Sequence, residues 1–225
     1  MPRPAVFLDR DDTLNENATL PDEAFPGTWG DLYRPEWVRL LPGAADACRR
    51  LAGAGYTLVI VTNQGGVARG HATLEEIEAT TARVCAMVDA EAGRGAGDAP
   101  LITASYAAPH HPEAVVPHLR ADHPWRKGGP GMLLAAAAEL GLDLAGSWMV
   151  GDKQRDLDAG IAAGLDPGRC LRVAPGHFPS LAAAADRILG ASAAPARGST
   201  VPATTVTLRA TSGRPLGDPA ARATV

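Results

Sequence analysis

The 225-residue chain carries 21 Lys and Arg against 25 Asp and Glu, a formal net charge of −4, which argues against nucleic acid or an anionic membrane surface as a partner. With 46% hydrophobic and 20% charged residues, it has the composition of one soluble α/β domain with a full core, and it has no apolar run long enough to span a membrane. No charged segment followed by a long apolar stretch opens it, so the cytoplasm is the expected location. Its three cysteines, Cys48, Cys85 and Cys170, are far apart in apolar stretches and read as buried reduced thiols rather than a disulfide framework.

In chain order, Val6–Leu8 reads as a strand and Ala44–Ala54 as a helix that follows Pro42-Gly43 and is closed by Gly55. Thr57–Val61 is a second buried strand. Thr73–Glu91 is a longer helix with Thr73 as N-cap and Glu75 and Glu76 in its first turn. A strand at Leu101–Ala107 precedes a helix at Pro130–Leu140, with Pro at its start and Gly141 past its end. A strand at Ser147–Val150, a helix at Leu157–Ala163 and a strand at Cys170–Val173 follow. This alternation predicts a mostly parallel sheet with helices on both faces.

Two regions break the alternation. Asn15–Val38 combines Pro21, Pro26, Gly27, Gly30 and Pro35 with Trp29, Tyr33 and Trp37, and reads as an ordered loop or small flap. Ala191–Val225 has few large apolar residues and is expected to be a disordered tail, with Thr204–Leu208 able to add a short edge strand. The expected organisation is therefore one domain over residues 1–190 and a tail over 191–225.

The chemistry collects where strands end. Residues i and i+2 of an extended segment point the same way, so Asp9 and Asp11 aim into one small volume after the first strand. Two carboxylates that close repel each other unless a cation or a proton intervenes, which suggests Mg²⁺, a nucleophile and an acid/base. Thr62-Asn63-Gln64 ends the second strand, Gly151-Asp152-Lys153 ends the fourth, and Arg126-Lys127 precedes the Pro130 helix. In open parallel sheets, ligands bind outside the carboxyl ends of the strands.

This ordered set resembles the haloacid dehalogenase (HAD) superfamily of Mg²⁺-dependent aspartate-nucleophile phosphatases. It is similar in particular to the branch of D-glycero-D-manno-heptose 1,7-bisphosphate and histidinol-phosphate phosphatases. The residues that carry the likeness are Asp9-Arg10-Asp11-Asp12-Thr13-Leu14-Asn15, Thr62 to Gly70, His110-His111-Pro112-Glu113, Arg126-Lys127 with Pro130 to Leu134, and Val150 to Lys153. The resemblance implies a Rossmann-like HAD fold with a small flap in place of a large cap domain. It further implies Asp9 as nucleophile, Asp11 as acid and base, and Thr62 and Lys127 as phosphoryl ligands. Asn63, Gln64, Arg126 and Lys153 would contact substrate. Asp9, the Asp11 carbonyl and Asp152 would hold Mg²⁺, and Asp156 would brace the loop.

The chain departs from this pattern in three places, one of them an Asn15–Val38 flap longer than is usual in this branch. Asp12 stands where the family has Gly. In the loop where many relatives bind zinc through cysteines, the matching positions are Ala108, His110, His123 and Trp125, so zinc is expected to be absent, although His111 and His118 lie nearby. The expected activity is a phosphomonoesterase acting on a small phosphorylated metabolite, first a sugar bisphosphate and second histidinol phosphate. A polynucleotide 3′-phosphatase and a non-catalytic binding protein are the other readings. The sequence leaves the oligomeric state open.

Overall fold

The computed structural model describes residues 2–25, 27, 31–191 and 208–210. Strands β1 (Arg3–Leu8), β2 (Thr57–Asn63), β3 (Ile102–Ala108), β4 (Leu142–Gly151), β5 (Cys170–Arg172) and β6 (Leu208–Ala210) form one sheet in the order β5-β4-β1-β2-β3-β6. Every pairing is parallel. Helices α1 (Ala44–Gly53), α2 (Leu74–Glu91), α3 (Gly131–Leu140), α4 (Gln154–Ala162) and α5 (Leu181–Ala191) cover its two faces. This is the parallel sheet with helices on both faces that the alternation of elements predicts, and the Rossmann-like α/β fold that the resemblance implies.

The period-2 alternation of β1 divides the core. Val6 and Leu8 point to one face with Leu58 and Ile60 of β2, against Cys48 and Leu51 of α1, Val84 and Val88 of α2, and Ile188 of α5. Ala5 and Phe7 point to the other face with Val59 and Val61, against Met132 and Leu133 of α3 and Ala159 of α4. The chain moves outward from β1 through β2 to β3, then returns to place β4 on the other side of β1. The strand order therefore reverses between β1 and β4, and a crevice opens at their carboxyl ends.

Several boundaries differ from the sequence expectation for visible reasons. β4 begins at Leu142 instead of Ser147, because residues 142–143 pair with Arg3 and Pro4 before a register shift, at which Ser147 Oγ accepts the Ala5 N–H at 2.8 Å. The polar Asp143 and the small Ala145 and Gly146 hid this start. α4 begins three residues early because the Asp156 carboxylate caps it by accepting the Lys153 N–H. α5 has no counterpart among the expected elements, although Leu181, Ala184, Ala185 and Ile188 bury one face at helical spacing; two of these four are alanines, small residues that mark that face weakly. At α2 the expected cap is complete: Thr73 Oγ1 accepts from Glu76 N, and the Glu76 carboxylate accepts from Thr73 N.

The described residues of the flap region are packed on the domain, with 3₁₀ turns at Asp22–Ala24 and Pro35–Trp37, and with Leu20, Phe25, Leu32 and Val38 buried in the core under α1 and α2. Pro26, Trp29 and Gly30, which contributed to that expectation, lie outside the described residues. So do residues 192–207 and 211–225, which make up most of the segment expected to be a tail. The short edge strand occupies Leu208–Ala210, paired with Ser105–Ala107 of β3. Residues 204–207 of the expected strand fall outside the description. Cys48, Cys85 and Cys170 are buried free thiols. Among the described residues, no helix is long and apolar enough to cross a membrane.

Ile60 is fully buried in β2 between β1 and β3. Ile60→Ala should lower the unfolding free energy in urea by about 2–5 kcal/mol. Leu134→Ala, on an exposed side chain of α3, should change it by no more than about 0.5 kcal/mol.

Candidate active site

Asp9 follows β1 directly, and its N–H donates to the Val150 carbonyl at 2.9 Å, which extends the β1–β4 pairing by one residue. Its carboxylate is buried. Oδ1 accepts the Arg10 N–H at 2.7 Å and lies 2.5 Å from Lys127 Nζ. Lys127 Nζ also lies 2.8 Å from Asp156 Oδ1, and the Lys127 N–H donates to Asn63 Oδ1 at 2.7 Å. One buried lysine thus joins the end of β1, the end of β2 and the first turn of α4. Gly151 makes room for this arrangement, since a Cβ there would lie 2.4 Å from Asp156 Oδ2.

Asp11 is held from three sides. The buried Arg10 guanidinium grips both its oxygens, at 3.1 and 2.9 Å, and also donates to Thr81 Oγ1 and the Leu32 carbonyl. Asn15 Nδ2 and Gln64 Nε2 donate to it as well, and Gln64 Nε2 reaches Thr62 Oγ1 at 2.8 Å. Asp12 adopts φ +57°, a left-handed conformation that favours glycine, which accounts for the family's preference there. Asp is tolerated because its side chain caps the following turn, with Oδ1 accepting from Asn17 N and Ala18 N. Burial first, and then the charges of Asp152 and Asp11, push the Asp12 carboxyl above its usual range.

Carboxylate oxygens of Asp9, Asp152 and Asp156 lie within 4.8 Å of one another. Burial pushes the Asp9 carboxyl up to about 8, with Asp156 and Asp11 adding to the rise and Lys127 opposing it. Burial alone would depress Lys127, but Asp156 and Asp9 outweigh it and hold the ammonium above its ordinary value. Asp156 spends its oxygens on Lys127 and on Lys153 N. Asp152 Oδ2 faces Lys153 Nζ at 2.5 Å, which leaves Asp152 Oδ1 and Asp9 Oδ2 without partners among the described residues. This donor set of hard oxygens, short of positive charge, fits a small divalent cation.

A cleft of about 290 Å³ opens over these groups. Asp9, Asp11, Thr62, Lys127 and Asp152 line it, as do Asn63, Arg126 and Lys153. Gln64 does not; its amide lies beneath the cleft and ties Asp11 to Thr62. Asp31, Arg69 and Arg155 also line the cleft, although sequence reasoning assigned them no role, as does His111, which it weighed only as a neighbour of the zinc-loop positions. Arg69 pairs with Asp31, which links the loop after β2 to the flap. Gly65 and Gly66 lie directly beneath that pair, where a Cβ on Gly65 would approach Arg69 to 2.9 Å. Arg10, between the two aspartates, was the other omission, and its position in the motif was the available signal.

The loop from Ala108 to Trp125 is held by ring contacts. His110 and His123 stack with centroids 4.0 Å apart and planes 7° from parallel. Burial first, then His123 and His118, push His110 down to about 4, and burial lowers His123, so the stacked rings are neutral near pH 7. The buried Trp125 ring meets Tyr106 edge-on at 5.9 Å. Among the described residues, the group of three or more carboxylate, imidazole or thiol ligands close enough for one ion is Asp9, Asp152 and Asp156, and it includes no histidine.

The HAD-hydrolase-like family model matches residues 124–179. The chain is 37% identical over 186 residues to D-glycero-beta-D-manno-heptose-1,7-bisphosphate 7-phosphatase of Yersinia pestis, covering 83% of this chain and 89% of the relative. It is 34% identical to the enzyme of that name from Escherichia coli K12, with 83% and 88% covered. Among solved structures, it superposes on D,D-heptose 1,7-bisphosphate phosphatase from B. bronchiseptica complexed with magnesium and phosphate, with a TM-score of 0.62 at 27% identity, over 84% of this chain and 99% of that one. By fold and by sequence this chain belongs to the HAD-like phosphatases, in the heptose-bisphosphate phosphatase family, and is a hydrolase of phosphoric monoesters.

Proposed function

We propose that this enzyme removes one phosphate from a sugar bisphosphate of the D-glycero-D-manno-heptose 1,7-bisphosphate type in the cytoplasm, with Asp9 as nucleophile and Mg²⁺ as cofactor. The observation that carries this reading is the buried Asp9 carboxylate, one oxygen of which is fixed by Lys127 and Arg10 N, gathered with Asp152 and Asp156 at the floor of the cleft.

In the first step Asp9 Oδ2 attacks phosphorus, and the bond from phosphorus to the sugar oxygen breaks. Asp11 gives its proton to that oxygen, and the product is an aspartyl-phosphate. In the second step Asp11 takes a proton from water, whose oxygen attacks phosphorus and frees phosphate and the Asp9 carboxylate. Lys127 and Thr62 hold the phosphoryl oxygens, where positioning and fixed charge supply most of the acceleration. Asp9, the Asp11 carbonyl and Asp152 would hold Mg²⁺, which supplies charge that offsets repulsion between carboxylate and phosphate. Asn63 and Lys153 lie at the cleft wall to meet substrate, and Asn63 Nδ2 is a buried donor without a partner among the described residues. Gln64 acts by positioning Asp11 and Thr62.

The cationic rim favours a second anionic group over histidinol phosphate, whose other end is itself basic. The net charge of −4 disfavours a polynucleotide end. The contacts among Asp9, Asp156 and Lys127 favour an active enzyme over a silent binding protein. We further infer that the Ala108–Trp125 loop is held by its stacked rings without zinc.

Purified protein with Mg²⁺ should release one phosphate from D-glycero-β-D-manno-heptose 1,7-bisphosphate. Release should stop in EDTA and return with added Mg²⁺, whereas undiminished turnover in EDTA would refute the cation's role. Elemental analysis of protein purified without an affinity tag should find far less than one zinc per chain. One zinc per chain, lost on His123→Ala, would refute the account of the loop.

A further inference from the structure

Four cations stand around the mouth of the cleft: Arg69, Arg126, Lys153 and Arg155. Two of them are neutralised where they stand, Arg69 by Asp31 and Lys153 by Asp152. Arg126 and Arg155 have no ion-pair partner among the described residues. The half-buried Arg126 has its Nη1 hydrogen-bonded to the His110 carbonyl, at 3.2 Å, and the opposing charge that acts on it is that of Asp122. Arg155 occupies the first turn of α4 with its side chain exposed.

The backbone brings these two residues together. The Arg155 carbonyl accepts the Gly128 N–H at 3.0 Å and so ties the start of α4 to the loop that carries Arg126 and Lys127. The two guanidiniums are close enough that Arg155 helps hold Arg126 below its ordinary value, after burial. Bringing two like charges together beside a cleft costs free energy that a bound anion would recover. The planar forks of arginine suit the oxygens of a phosphate. The phosphoryl group under attack is already served by Lys127 and Thr62 on the cleft floor, so an anion at this rim belongs to a different part of the substrate.

We propose that Arg155, paired with Arg126, receives the second phosphate of the substrate, the one that is not transferred, and that Arg155 sets the preference for bisphosphates over monophosphates. This rests on the sugar-bisphosphate reading of the cleft. Arg155 is a specificity residue that acts at a distance from the reacting atoms. Its side chain is exposed and its loop contact is made through its backbone, so replacing the side chain leaves the packing of α4 in place.

The test compares two substrates that differ only in the distal anion: D-glycero-β-D-manno-heptose 1,7-bisphosphate and the corresponding heptose 7-phosphate. For wild type, Arg155→Gln and Arg155→Lys, kcat/KM is measured on each with Mg²⁺, alongside the melting temperature. The ratio of bisphosphate to monophosphate kcat/KM should fall by about tenfold or more in Arg155→Gln, chiefly through KM, as expected for loss of a hydrogen-bonded charge. Arg155→Lys should lie between, since it keeps the charge and loses the fork. A ratio within about twofold of wild type in Arg155→Gln, or an equal loss on both substrates, overturns the assignment of Arg155. A wild-type enzyme that shows no preference for the bisphosphate instead overturns the sugar-bisphosphate reading, and the assignment with it. If Arg155→Gln melts early, the same ratio in Arg155→Lys decides.

Discussion

The site depends on one buried ammonium. Lys127 Nζ lies between Asp9 and Asp156, and the Lys127 backbone N–H is fixed by Asn63, so a single residue sets the spacing of the ends of β1 and β2 and the start of α4. Taking one partner from a buried ion pair leaves an uncompensated charge and costs about 3–5 kcal/mol. That penalty makes the cluster stand or fall as a unit. The sheet supplies the place for it: the strand order reverses between β1 and β4, and the buried cluster closes the bottom of the crevice that the reversal opens. Gly151 belongs to the same constraint, because no larger residue leaves space for the Asp156 carboxylate.

Charge is layered through the cleft. Carboxylates of Asp9, Asp152 and Asp156 crowd the floor, and arginines and a lysine ring the mouth. In the proposed reaction the floor holds the cation and the nucleophile, while the mouth draws in an anionic substrate and orients it. Phosphoryl transfer asks for little covalent chemistry from the protein and much positioning, which this layering provides. The Arg69–Asp31 pair ties the flap to the loop after β2, so the elements that frame the mouth are joined to the sheet that carries the floor.

The sheet was legible because β1, β2 and β4 end in unbroken apolar runs followed at once by polar residues, a pattern that marks buried parallel strands and the crevice beyond them. That Asp9, Asp11, Thr62, Lys127 and Asp152 meet at one cleft was legible for the same reason: each sits next to a strand end or a helix start. Residues that act sideways were not. Arg10, Asp31, Arg69 and Arg155 are common loop and helix residues whose importance comes from partners far away in sequence, as Arg69 with Asp31 and Arg10 with Thr81 show. Gln64 reads as a substrate contact; in the fold its Nε2 donates to Asp11 and Thr62, a link that the sequence does not display. The histidine stack was hidden because twelve residues lie between His110 and His123, whose rings the loop folds to 4.0 Å.

The account turns on Asp9 carrying the phosphoryl group between the two steps. The direct measurement is rapid acid quench of enzyme and Mg²⁺ with substrate labelled in the transferred phosphate, followed by borohydride reduction and peptide mapping. Label on the peptide containing Asp9, conversion of that residue to the reduced alcohol, and loss of both in Asp9→Asn are the predicted results. Phosphate release at full rate with no protein-bound label, or label on any other residue, would contradict the account.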